Sequence, residues 1–275
     1  MQVLVLGAGG RVGSALFDHL PEFGPYQLTG LDVEAHPDPD RLTGDLRDRE
    51  VLGEAVRGQD AIVHAALNPA LNHTVTDVRF FPGLLDNLWM TCNVFEAAIE
   101  ADVDTVVYAS STHAVGRYEQ EHAPELYADP EPPFRLGPEV TPRPDSLYGA
   151  QKLFDEAIGR LAAELHGISV YVVRIGNVRG PDADHPYAPA ERGSAERGTP
   201  AYERAVNRMK AVWFSRRDVA NFVDCCLRDE FVDFDVFYGV SDNERAWFDR
   251  AHARERLGYE PLDAGEDWTA PPDAS

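Results

Sequence analysis

The sequence predicts an α/β fold built on a doubly wound parallel sheet. Through residues 1–175, short apolar runs alternate with helical patterns, which is typical of parallel strands joined by crossover helices. A glycine-rich turn at residues 7–13 separates the first apolar run from the first helical pattern. After residue 175 the pattern loosens into pieces too few for a separate core. These observations predict a Rossmann-like sheet with a small C-terminal substrate-binding cap, because open α/β sheets bind ligands at their carboxyl edge.

The predicted elements follow one another in chain order. Short apolar runs predict strands at residues 2–6, 27–32, 61–65, 105–109, 169–175 and 236–240. Apolar residues at helical spacing predict helices at 11–20, 49–57, 84–101, 147–165, 217–227 and 249–257. We assign 1–175 to a dinucleotide-binding core and 176–262 to a substrate-binding segment packed on the sheet edge. Residues 263–275 form an acidic, Pro-containing tail that we expect to be loosely attached.

The charge of the chain excludes several kinds of partner. Lys and Arg number 25 against 47 Asp and Glu, which gives a formal net charge of −22. A surface this acidic repels nucleic acid and anionic membranes, so the expected partner is a small molecule. The acids are scattered along the chain, and arginine largely replaces lysine. We interpret this composition as the surface of a halophilic protein.

The sequence carries no sign of membrane insertion or of a metal site. No stretch approaches the roughly 20 apolar residues that span a bilayer, and Met1 leads directly into a predicted strand, so we expect a cytoplasmic protein. Cys92, Cys225 and Cys226 lack the spacing of metal ligands. The adjacent pair lies in an apolar helical pattern, where we expect both residues to be small buried hydrophobic side chains.

Tyr148 and Lys152 lie four residues apart within the helical pattern at 147–165. Residues at this spacing neighbour each other on one face of a helix. A nearby positive charge favours phenolate over phenol, so we expect Lys152 to lower the pKa of Tyr148 toward neutrality. Such a tyrosine suits the oxidation of an alcohol. The pair is conspicuous because Lys152 and Lys210 are the only lysines in the chain.

Gly7, Gly10 and Gly13 follow the first predicted strand and open the first predicted helix. In this context glycines permit a tight turn and the close approach of a pyrophosphate, which the helix N-terminus attracts. Asp32 ends the second predicted strand, where a carboxylate binds a ribose 2′-hydroxyl. Its charge repels a 2′-phosphate, so the sequence favours NAD over NADP, although Arg11 could offset part of that repulsion.

Further motifs make the chain resemble the extended short-chain dehydrogenase/reductase family. After the three glycines come Asp45-Leu46, His64-Ala-Ala-Leu67, Asn87, Ser111, and Tyr148 with Lys152. The resemblance implies that Tyr148 transfers the proton, that Lys152 supports it and binds the nicotinamide ribose, and that Ser111 binds the substrate oxygen. It implies cofactor contacts from Gly7, Gly10, Arg11, Val12, Gly13, Asp32, Asp45, Leu46, Ala65, Ala66, Leu67, Asn87, Tyr148, Lys152 and Ile175. No metal is implied.

Several segments are similar to the uronate dehydrogenase branch of that family, which includes haloarchaeal NAD-dependent glucose-6-phosphate dehydrogenases. They are Ala109-Ser-Ser-Thr-His-Ala-Val-Gly116, Arg143-Pro-Asp-Ser-Leu-Tyr148, Val173-Arg-Ile-Gly-Asn177, Trp213-Phe-Ser215 and Tyr238-Gly-Val-Ser-Asp-Asn-Glu-Arg245. Enzymes of this branch oxidise the anomeric C1 hydroxyl of a cyclic sugar to a lactone and pass a hydride to the nicotinamide. The resemblance implies substrate contacts from Asn68, Ser111, Thr112, His113, Tyr148, Asn177 and Arg208.

The substrate residues depart from the uronate dehydrogenases and leave the sugar open. Thr112 replaces an asparagine, and Asn68 and Asn177 stand where those enzymes carry serine. Arg208 matches the arginine that binds the uronate carboxylate, with Arg204 as a competing candidate because residues 182–201 form an insertion. A guanidinium suits either a carboxylate or a phosphate. The candidates are a uronate, glucose 6-phosphate and a neutral aldose such as L-arabinose.

Our leading hypothesis is an NAD-dependent sugar dehydrogenase, and two alternatives stay open. A nucleotide-sugar epimerase or dehydratase would use the same fold, but such enzymes usually carry a larger C-terminal substrate domain. A non-catalytic dinucleotide-binding sensor is the third possibility, against which intact Ser111, Tyr148 and Lys152 argue. The resemblance also implies a homodimer or higher homo-oligomer formed through the helices at 84–101 and 147–165.

Overall fold

The computed structural model describes residues 1–71, 74 and 82–272, and these contain one parallel sheet. Its strands are β1 (Gln2–Leu6), β2 (Gln27–Asp32), β3 (Arg41–Thr43), β4 (Ala61–His64), β5 (Thr105–Ser111), β6 (Ser169–Ile175) and β7 (Phe234–Gly239). They lie in the order β3-β2-β1-β4-β5-β6-β7, and each neighbouring pair is parallel. The order reverses between β1 and β4, which is where doubly wound folds open a ligand crevice. The predicted Rossmann-like fold class is confirmed.

The helices connect these strands and supply the cap. They are α1 (Arg11–His19), α2 (Arg49–Val56), α3 (Pro82–Glu100), α4 (Gly116–His122), α5 (Leu147–His166), α6 (Ala188–Arg192), α7 (Pro200–Val212), α8 (Arg216–Arg228) and α9 (Ala251–Leu257). Helix α5 begins where Ser146 Oγ accepts a hydrogen bond from the backbone N of Gly149 at 3.1 Å. It ends at Gly167, whose φ of 72° is readily adopted by glycine. These limits place Tyr148 and Lys152 in the first two turns of α5.

Alternate residues of the strands build two cores, one on each face of the sheet. Val3 and Val5 of β1 pack on the face covered by α1 and α8. Leu4 and Leu6 point to the opposite face, where α2, α3 and α5 lie. Cys225 and Cys226 of α8 are buried in the first core, as the sequence predicted. In the part of the chain that is described, no helix is both long and apolar enough to cross a membrane.

The sequence did not predict strand β3 or helices α4, α6 and α7. Strand β3 has only three residues and lies at the exposed sheet edge, so it carries no recognisable apolar pattern. Helix α4 follows Ser111 directly after a 3-10 turn. Helix α6 and the start of α7 fall within residues 182–201, which we interpreted as an irregular segment because they are rich in Pro, Gly and Glu. Thr199 caps α7 and Pro200 opens it, which is a pattern typical of a helix start.

The C-terminal residues contribute to the sheet as well as to its cap. Strand β7 extends the sheet beyond β6, and α8 packs against α1. A third apolar cluster around Trp213, Trp247 and Phe248 joins the segments that follow β5, β6 and β7. This cluster lies next to the carboxyl ends of β5 and β6, because it includes Val115 after β5 and the residue Trp213 that pairs with Asn177 after β6.

We expected a loosely attached tail after residue 262, but residues 263–268 are anchored. Ser215 Oγ donates to Asp263 Oδ2 at 2.7 Å, and the backbone N of Gly265 donates to Asn243 Oδ1 at 2.9 Å. The ring of Trp268 packs against His185, with 5.3 Å between ring centroids. Composition suggested disorder here because the segment is polar, yet these side chains find partners on distant parts of the fold.

Candidate active site

The turn between β1 and α1 is a backbone cradle with no room for side chains. Gly7 has a φ of 82°, and a Cβ atom there would lie 2.7 Å from the backbone N of Ala66. At Gly13 a Cβ atom would lie 2.2 Å from the carbonyl oxygen of Gly7. The backbone N of Gly10 donates to that same oxygen at 3.0 Å. Gly7 and Gly13 are therefore required by contact, and the turn brings backbone close to any group bound there, as a pyrophosphate requires.

The N-terminus of α1 faces this turn. Gly10 is its N-cap and contributes no side-chain hydrogen bond, and the first turn of this fully described helix contains no acid. Arg11, the first helical residue, is exposed. Because the first backbone N–H groups of a helix carry partial positive charge, this end is suited to a phosphate.

Asp32 lies where β2 ends, beside the glycine turn. Its Oδ2 accepts from the backbone N of Gly9 at 2.9 Å, and its Oδ1 accepts from the backbone N of Glu34 at 3.2 Å. These contacts hold the carboxylate at the switch point of the sheet. With the glycine cradle, they fit the ribose and pyrophosphate of a dinucleotide.

The other predicted cofactor residues lie in loops along the same edge. Asp45 follows β3, and hydrogen bonds from Arg47 lower the pKa of its carboxyl below the ordinary value. Leu46 is buried, and its carbonyl accepts from Asn93 Nδ2 at 3.0 Å. Ala65, Ala66 and Leu67 follow β4, whereas Val12 and Ile175 pack against the core beneath α1 and α8.

Asn68 and Asn87 meet at the end of β4. The backbone N of Asn68 donates to Asn87 Oδ1 at 2.7 Å. The side chain of Asn68 is engaged within its loop, because its Nδ2 donates to Asp86 at 2.9 Å and its Oδ1 accepts from Ala70 at 3.0 Å. Asn87 Nδ2 is buried and has no hydrogen-bond partner among the described residues. A bound cofactor or substrate could accept a hydrogen bond from this amide.

Ser111 and Tyr148 meet where β5 ends and α5 begins. Ser111 is the last residue of β5, and its Oγ accepts from the backbone N of His113 at 3.2 Å. The hydroxyl of Ser111 also acts on Tyr148, since hydrogen bonding from it lowers the pKa of the phenol. Gly149 makes this approach possible, since a Cβ atom there would lie 2.3 Å from the carbonyl oxygen of His113.

Lys152 points from α5 toward β5 and is buried. Its Nζ donates to Tyr108 Oη at 2.8 Å and to the carbonyl oxygen of Ala109 at 2.9 Å. The ammonium lies 5.7 Å from the centroid of the Tyr148 ring. Tyr108 Oη in turn donates to Asp155, which is completely buried on α5. Lys152, Tyr108 and Asp155 thus form a buried polar chain beneath Tyr148.

The pKa values of this chain differ from the expectation. Burial raises the pKa of Tyr148 to about 12, although the hydrogen bond from Ser111 lowers it. Burial also lowers the pKa of Lys152 to about 8 and raises that of Asp155 to about 6. The expectation that Lys152 lowers the pKa of Tyr148 is wrong here, because burial dominates and the ammonium is bound by Tyr108 and Ala109. Ser111 is the group that favours the phenolate.

His113 faces Tyr148 from the turn after β5. The two rings lie 5.8 Å apart between centroids in an edge-to-face arrangement. His113 Nδ1 lies 2.7 Å from Asp145 Oδ2. Burial raises the pKa of Asp145, but this hydrogen bond helps to lower it, and the resulting pKa is below the ordinary value. Asp145 also accepts from Ser146, the cap of α5. The start of α5 and the orientation of His113 are therefore coupled.

The remaining predicted substrate residues have different surroundings. Thr112 is half-buried in the turn after Ser111. Asn177 is held through its backbone N, which donates to Val212 at 2.6 Å, and its buried Oδ1 lacks a partner within the described chain. Arg208 is bound by both carboxylate oxygens of Glu119, at 3.0 Å for Nη2 to Oε2. Arg204 is exposed. The structure thus groups Ser111, Thr112, His113 and Tyr148, and it pairs Arg208 with Glu119.

Sequence reasoning missed four residues at this site, namely Tyr108, Glu119, Asp145 and Asp155. Asp155 lies three residues after Lys152, so helical spacing alone could have placed it near the lysine. Tyr108 lies on β5, three residues before Ser111, and no local pattern relates it to α5. Glu119 is 89 positions from Arg208, and only the fold joins them. In the described residues, no group of three or more His, Cys, Asp or Glu is arranged to hold a metal ion.

The fold and this site define a dinucleotide-dependent oxidoreductase of the extended short-chain dehydrogenase/reductase class. Residues 3–229 match the NAD dependent epimerase/dehydratase family, and the chain belongs to that family. Its cofactor is NAD, for which the glycine cradle, the open end of α1 and Asp32 provide a fitting site.

Several known relatives of similar length are sugar dehydrogenases. An NAD-dependent glucose-6-phosphate dehydrogenase of Haloferax volcanii is 34% identical over 97% of this chain and 95% of its own length. An L-arabinose 1-dehydrogenase (NAD(P)(+)) of the same organism is 31% identical over 95% and 96%. The crystal structure of uronate dehydrogenase from Agrobacterium tumefaciens aligns with a TM-score of 0.74 at 27% identity, covering 99% of this chain and 91% of that one.

Proposed function

We propose that this protein is an NAD-dependent dehydrogenase that oxidises the anomeric C1 hydroxyl of a cyclic aldose to its lactone. The observation that carries the proposal is the convergence of Ser111, Tyr148 and Lys152 at the carboxyl edge of a sheet whose glycine turn fits NAD. The relatives named glucose-6-phosphate and L-arabinose dehydrogenase are 34% and 31% identical over almost the whole chain, whereas the one named UDP-glucose 4-epimerase matches 67% of it, which supports oxidation over epimerisation.

In the proposed mechanism Ser111 binds the C1 oxygen and Tyr148 Oη receives the hydroxyl proton. The glycine turn and Asp32 would hold NAD, which would supply the hydride acceptor for C1. Ser111 favours the phenolate through its hydrogen bond, while Lys152 is held below the ring by Tyr108 and Ala109. Holding the hydroxyl in line with both groups contributes to the rate by removing orientational freedom. We assign His113 to a second contact with the sugar, since Asp145 fixes its ring beside Tyr148.

The pocket residues follow from the same placement. We assign residues 176–262 to substrate binding, together with the loop after β4 that carries Asn68. The buried amide oxygen of Asn177 has no partner within the described chain, so it can accept a hydrogen bond from a sugar hydroxyl. The buried amide N–H of Asn87 can donate one to a bound ligand. Arg208 can bind an anionic substrate only if it releases Glu119 or donates to both carboxylates at once. Binding of a uronate carboxylate by Arg208 alone is therefore not favoured.

The reaction is tested by measuring NAD reduction at high salt with glucuronate, galacturonate, glucose 6-phosphate, glucose and L-arabinose. We expect turnover with at least one of these sugars, with lactone as the product, and higher kcat/KM with NAD than with NADP. Tyr148→Phe removes the proton acceptor and should lower kcat by at least about a thousandfold, within the range that general acid–base groups contribute. Binding of NAD to this variant should change little.

Two outcomes would contradict the proposal. Unimpaired turnover by Tyr148→Phe would exclude the mechanism. Conversion of a nucleotide sugar without net NAD reduction would identify an epimerase instead. Lys210→Gln is a suitable control, because it removes the only other lysine, on α7, without touching Tyr148.

We also propose a homodimer formed through α3 and α5. These two helices pack side by side, and their outer surface exposes Leu85, Trp89, Phe154, Leu161 and Leu165. Large apolar side chains clustered on one face of a monomer are typical of an interaction surface. A second copy of the chain can cover this face with the same face of its own.

The acidic composition supports a halophilic protein that works in a salt-rich cytoplasm. The net charge of −22 creates strong repulsion among surface carboxylates unless salt screens it. Many exposed acids pair with arginines, as Arg49 does with Glu96, so the surface relies on ion pairs as well as on solvent ions.

A further inference from the structure

Arg179 lies in the loop after β6, two residues beyond Asn177, and its charged neighbours are other arginines. Burial, followed by the charges of Arg11, Arg192 and Arg208, lowers the pKa of Arg179 to about 10. We call Arg11, Arg179, Arg192 and Arg208 the arginine cluster. Its members come from the start of α1, the loop after β6, the end of α6 and the middle of α7. Elements distant in sequence thus direct the same charge to one region.

Arg179 lacks an acidic partner anywhere in the described parts of the chain. Its Nε is buried without a hydrogen bond, and its Nη2 contacts only the thioether of Met209, at 4.0 Å. This is notable in a protein with 47 acids and 25 basic residues, where an arginine easily meets a carboxylate. A half-buried guanidinium without a counter-charge loses solvation and gains nothing in return.

The cluster is held by rigid elements. The buried guanidinium of Arg216 donates to the carbonyl oxygen of Arg11 at 3.3 Å and to that of Arg179 at 3.5 Å. It therefore ties the start of α1 to the loop after β6. The contact with Met209 adds α7, where Arg208 is the preceding residue. A loop fixed on both sides cannot easily swing its arginine away from the others.

The positive charges of Arg11, Arg192 and Arg208 oppose the charge on Arg179, so the arrangement lowers stability unless an anion occupies it. Guanidinium groups match phosphate oxygens with paired hydrogen bonds, and a phosphate dianion offers both charge and acceptors for more than one arginine. Glu119 already neutralises Arg208 in part, which leaves Arg179 as the group with unmet binding capacity. The charge and the hydrogen-bonding groups are those of a phosphate site.

On the basis of the proposed function, we propose that the arginine cluster binds the phosphoryl group of a phosphorylated aldose, with Arg179 as its central ligand. Three of the four arginines belong to residues 176–262, on the substrate side of the sheet edge. The pyrophosphate of NAD is the other possible source of a phosphate here, because Arg11 lies at the N-terminus of α1. The backbone of the glycine turn already provides for that pyrophosphate, which favours the sugar.

Binding of inorganic phosphate tests the site without reliance on catalysis. Thermal melts of the whole protein are compared in phosphate and chloride at constant ionic strength, and phosphate affinity is derived from the shift in Tm. Arg179→Gln should weaken phosphate binding by about 10- to 100-fold, the usual loss for a charged hydrogen bond. Without phosphate its Tm should be no lower than that of the wild type, because repulsion is relieved.

Arg57→Gln is the matched control. Arg57 is an exposed arginine after α2, at the opposite edge of the sheet, and forms no ion pair with the described residues. Its variant should bind phosphate within about twofold of the wild type, since a distant surface charge contributes little. Absence of phosphate binding in the wild type, or an equal loss in both variants, would overturn the site.

Saturating NAD distinguishes the two sources of phosphate. If the cluster serves the sugar, phosphate and glucose 6-phosphate should still bind the NAD complex, and Arg179→Gln should weaken both. Competition between NAD and phosphate would assign the cluster to the cofactor and overturn the sugar-phosphate assignment. In kinetic assays, Arg179→Gln should lower the preference for glucose 6-phosphate over glucose by about 10- to 100-fold. If no sugar is oxidised but Arg179-dependent phosphate binding persists, the proposed reaction fails while the phosphate site stands.

Discussion

Lys152 and Asp155 show how one residue's ionisation depends on its buried neighbours. Asp155 is completely buried, and burial raises the pKa of its carboxyl to about 6. Burial lowers the pKa of Lys152, whereas the charge of Asp155 raises it, and the balance is about 8. Tyr108 connects the two side chains by hydrogen bonds. The lysine therefore stays charged near neutral pH partly because Asp155 is present.

Asp155→Asn should move the pH profile of kcat/KM to lower pH. The substitution removes a charge that raises the pKa of both Lys152 and Tyr148, so both groups lose their protons at lower pH. Since a charged lysine is lost as pH rises through its pKa, the alkaline limb should shift down by roughly one to two pH units. Steady-state kinetics between about pH 6 and 10 measures this shift, because the ordinary pKa values of lysine and tyrosine lie near the upper end of that range.

Glu164→Gln is the control for this experiment, because Glu164 is an exposed acid of the same helix. Its profile should match that of the wild type. A uniformly lower rate for Asp155→Asn, with both limbs unmoved, would mean that Asp155 acts only in packing.

In the proposed dimer, α3 and α5 combine two tasks. Their inner faces pack on the sheet and position Asn87, Tyr148 and Lys152, while their outer faces expose Trp89 and Leu161. A helix that serves both an active site and an interface transmits packing changes from one to the other. Loss of the dimer is therefore expected to weaken substrate turnover as well as assembly.

Trp89→Glu combined with Leu161→Glu should convert the dimer into a monomer. Trp89 is 61% exposed and Leu161 52% exposed, so the folded chain tolerates the charges, whereas a buried interface does not. Light scattering coupled to size-exclusion chromatography measures the mass. Phe231→Glu, at an 87% exposed position outside α3 and α5, should leave the dimer intact. A monomeric wild-type protein at micromolar concentration would contradict the prediction.

Elements were predictable to the extent that their signals are local. Strand β1, helix α1 and helix α5 were found within a residue of their observed limits, because apolar periodicity and capping residues define them. Helix α7 was missed although Tyr202, Val206 and Met209 recur at helical spacing, because it begins within the Pro-, Gly- and Glu-rich residues 182–201. The anchoring of residues 263–268 was missed because their partners lie elsewhere in the chain.

At the scale of the whole molecule, charge governs stability. The net charge of −22 is spread over the surface, and at low ionic strength its repulsion acts over tens of ångströms. The positive charges of the arginine cluster add a local repulsion between groups of the opposite charge. Both effects weaken as salt or a bound anion screens them.

We expect Tm to rise steeply as KCl increases from low to molar concentration. The variant Glu34→Lys, Glu54→Lys, Asp129→Lys removes three exposed acids and should flatten that dependence, because each change reduces the net negative charge. Differential scanning calorimetry over a KCl series measures the slope. A wild-type Tm that is equal at low and high salt would contradict a halophilic protein.

Local periodicity and turn chemistry encode the fold class, the glycine turn, Asp32 and the placement of Tyr148 and Lys152 on one helix face, so all of these could be predicted from the sequence. The partners of each group depend on how distant segments pack. This packing joined Arg208 to Glu119 across 89 positions and surrounded Arg179 with arginines. It also raised the pKa of Tyr148 that helical spacing alone had predicted to fall. Burial and long-range contacts set these properties, and both arise only when distant segments pack together.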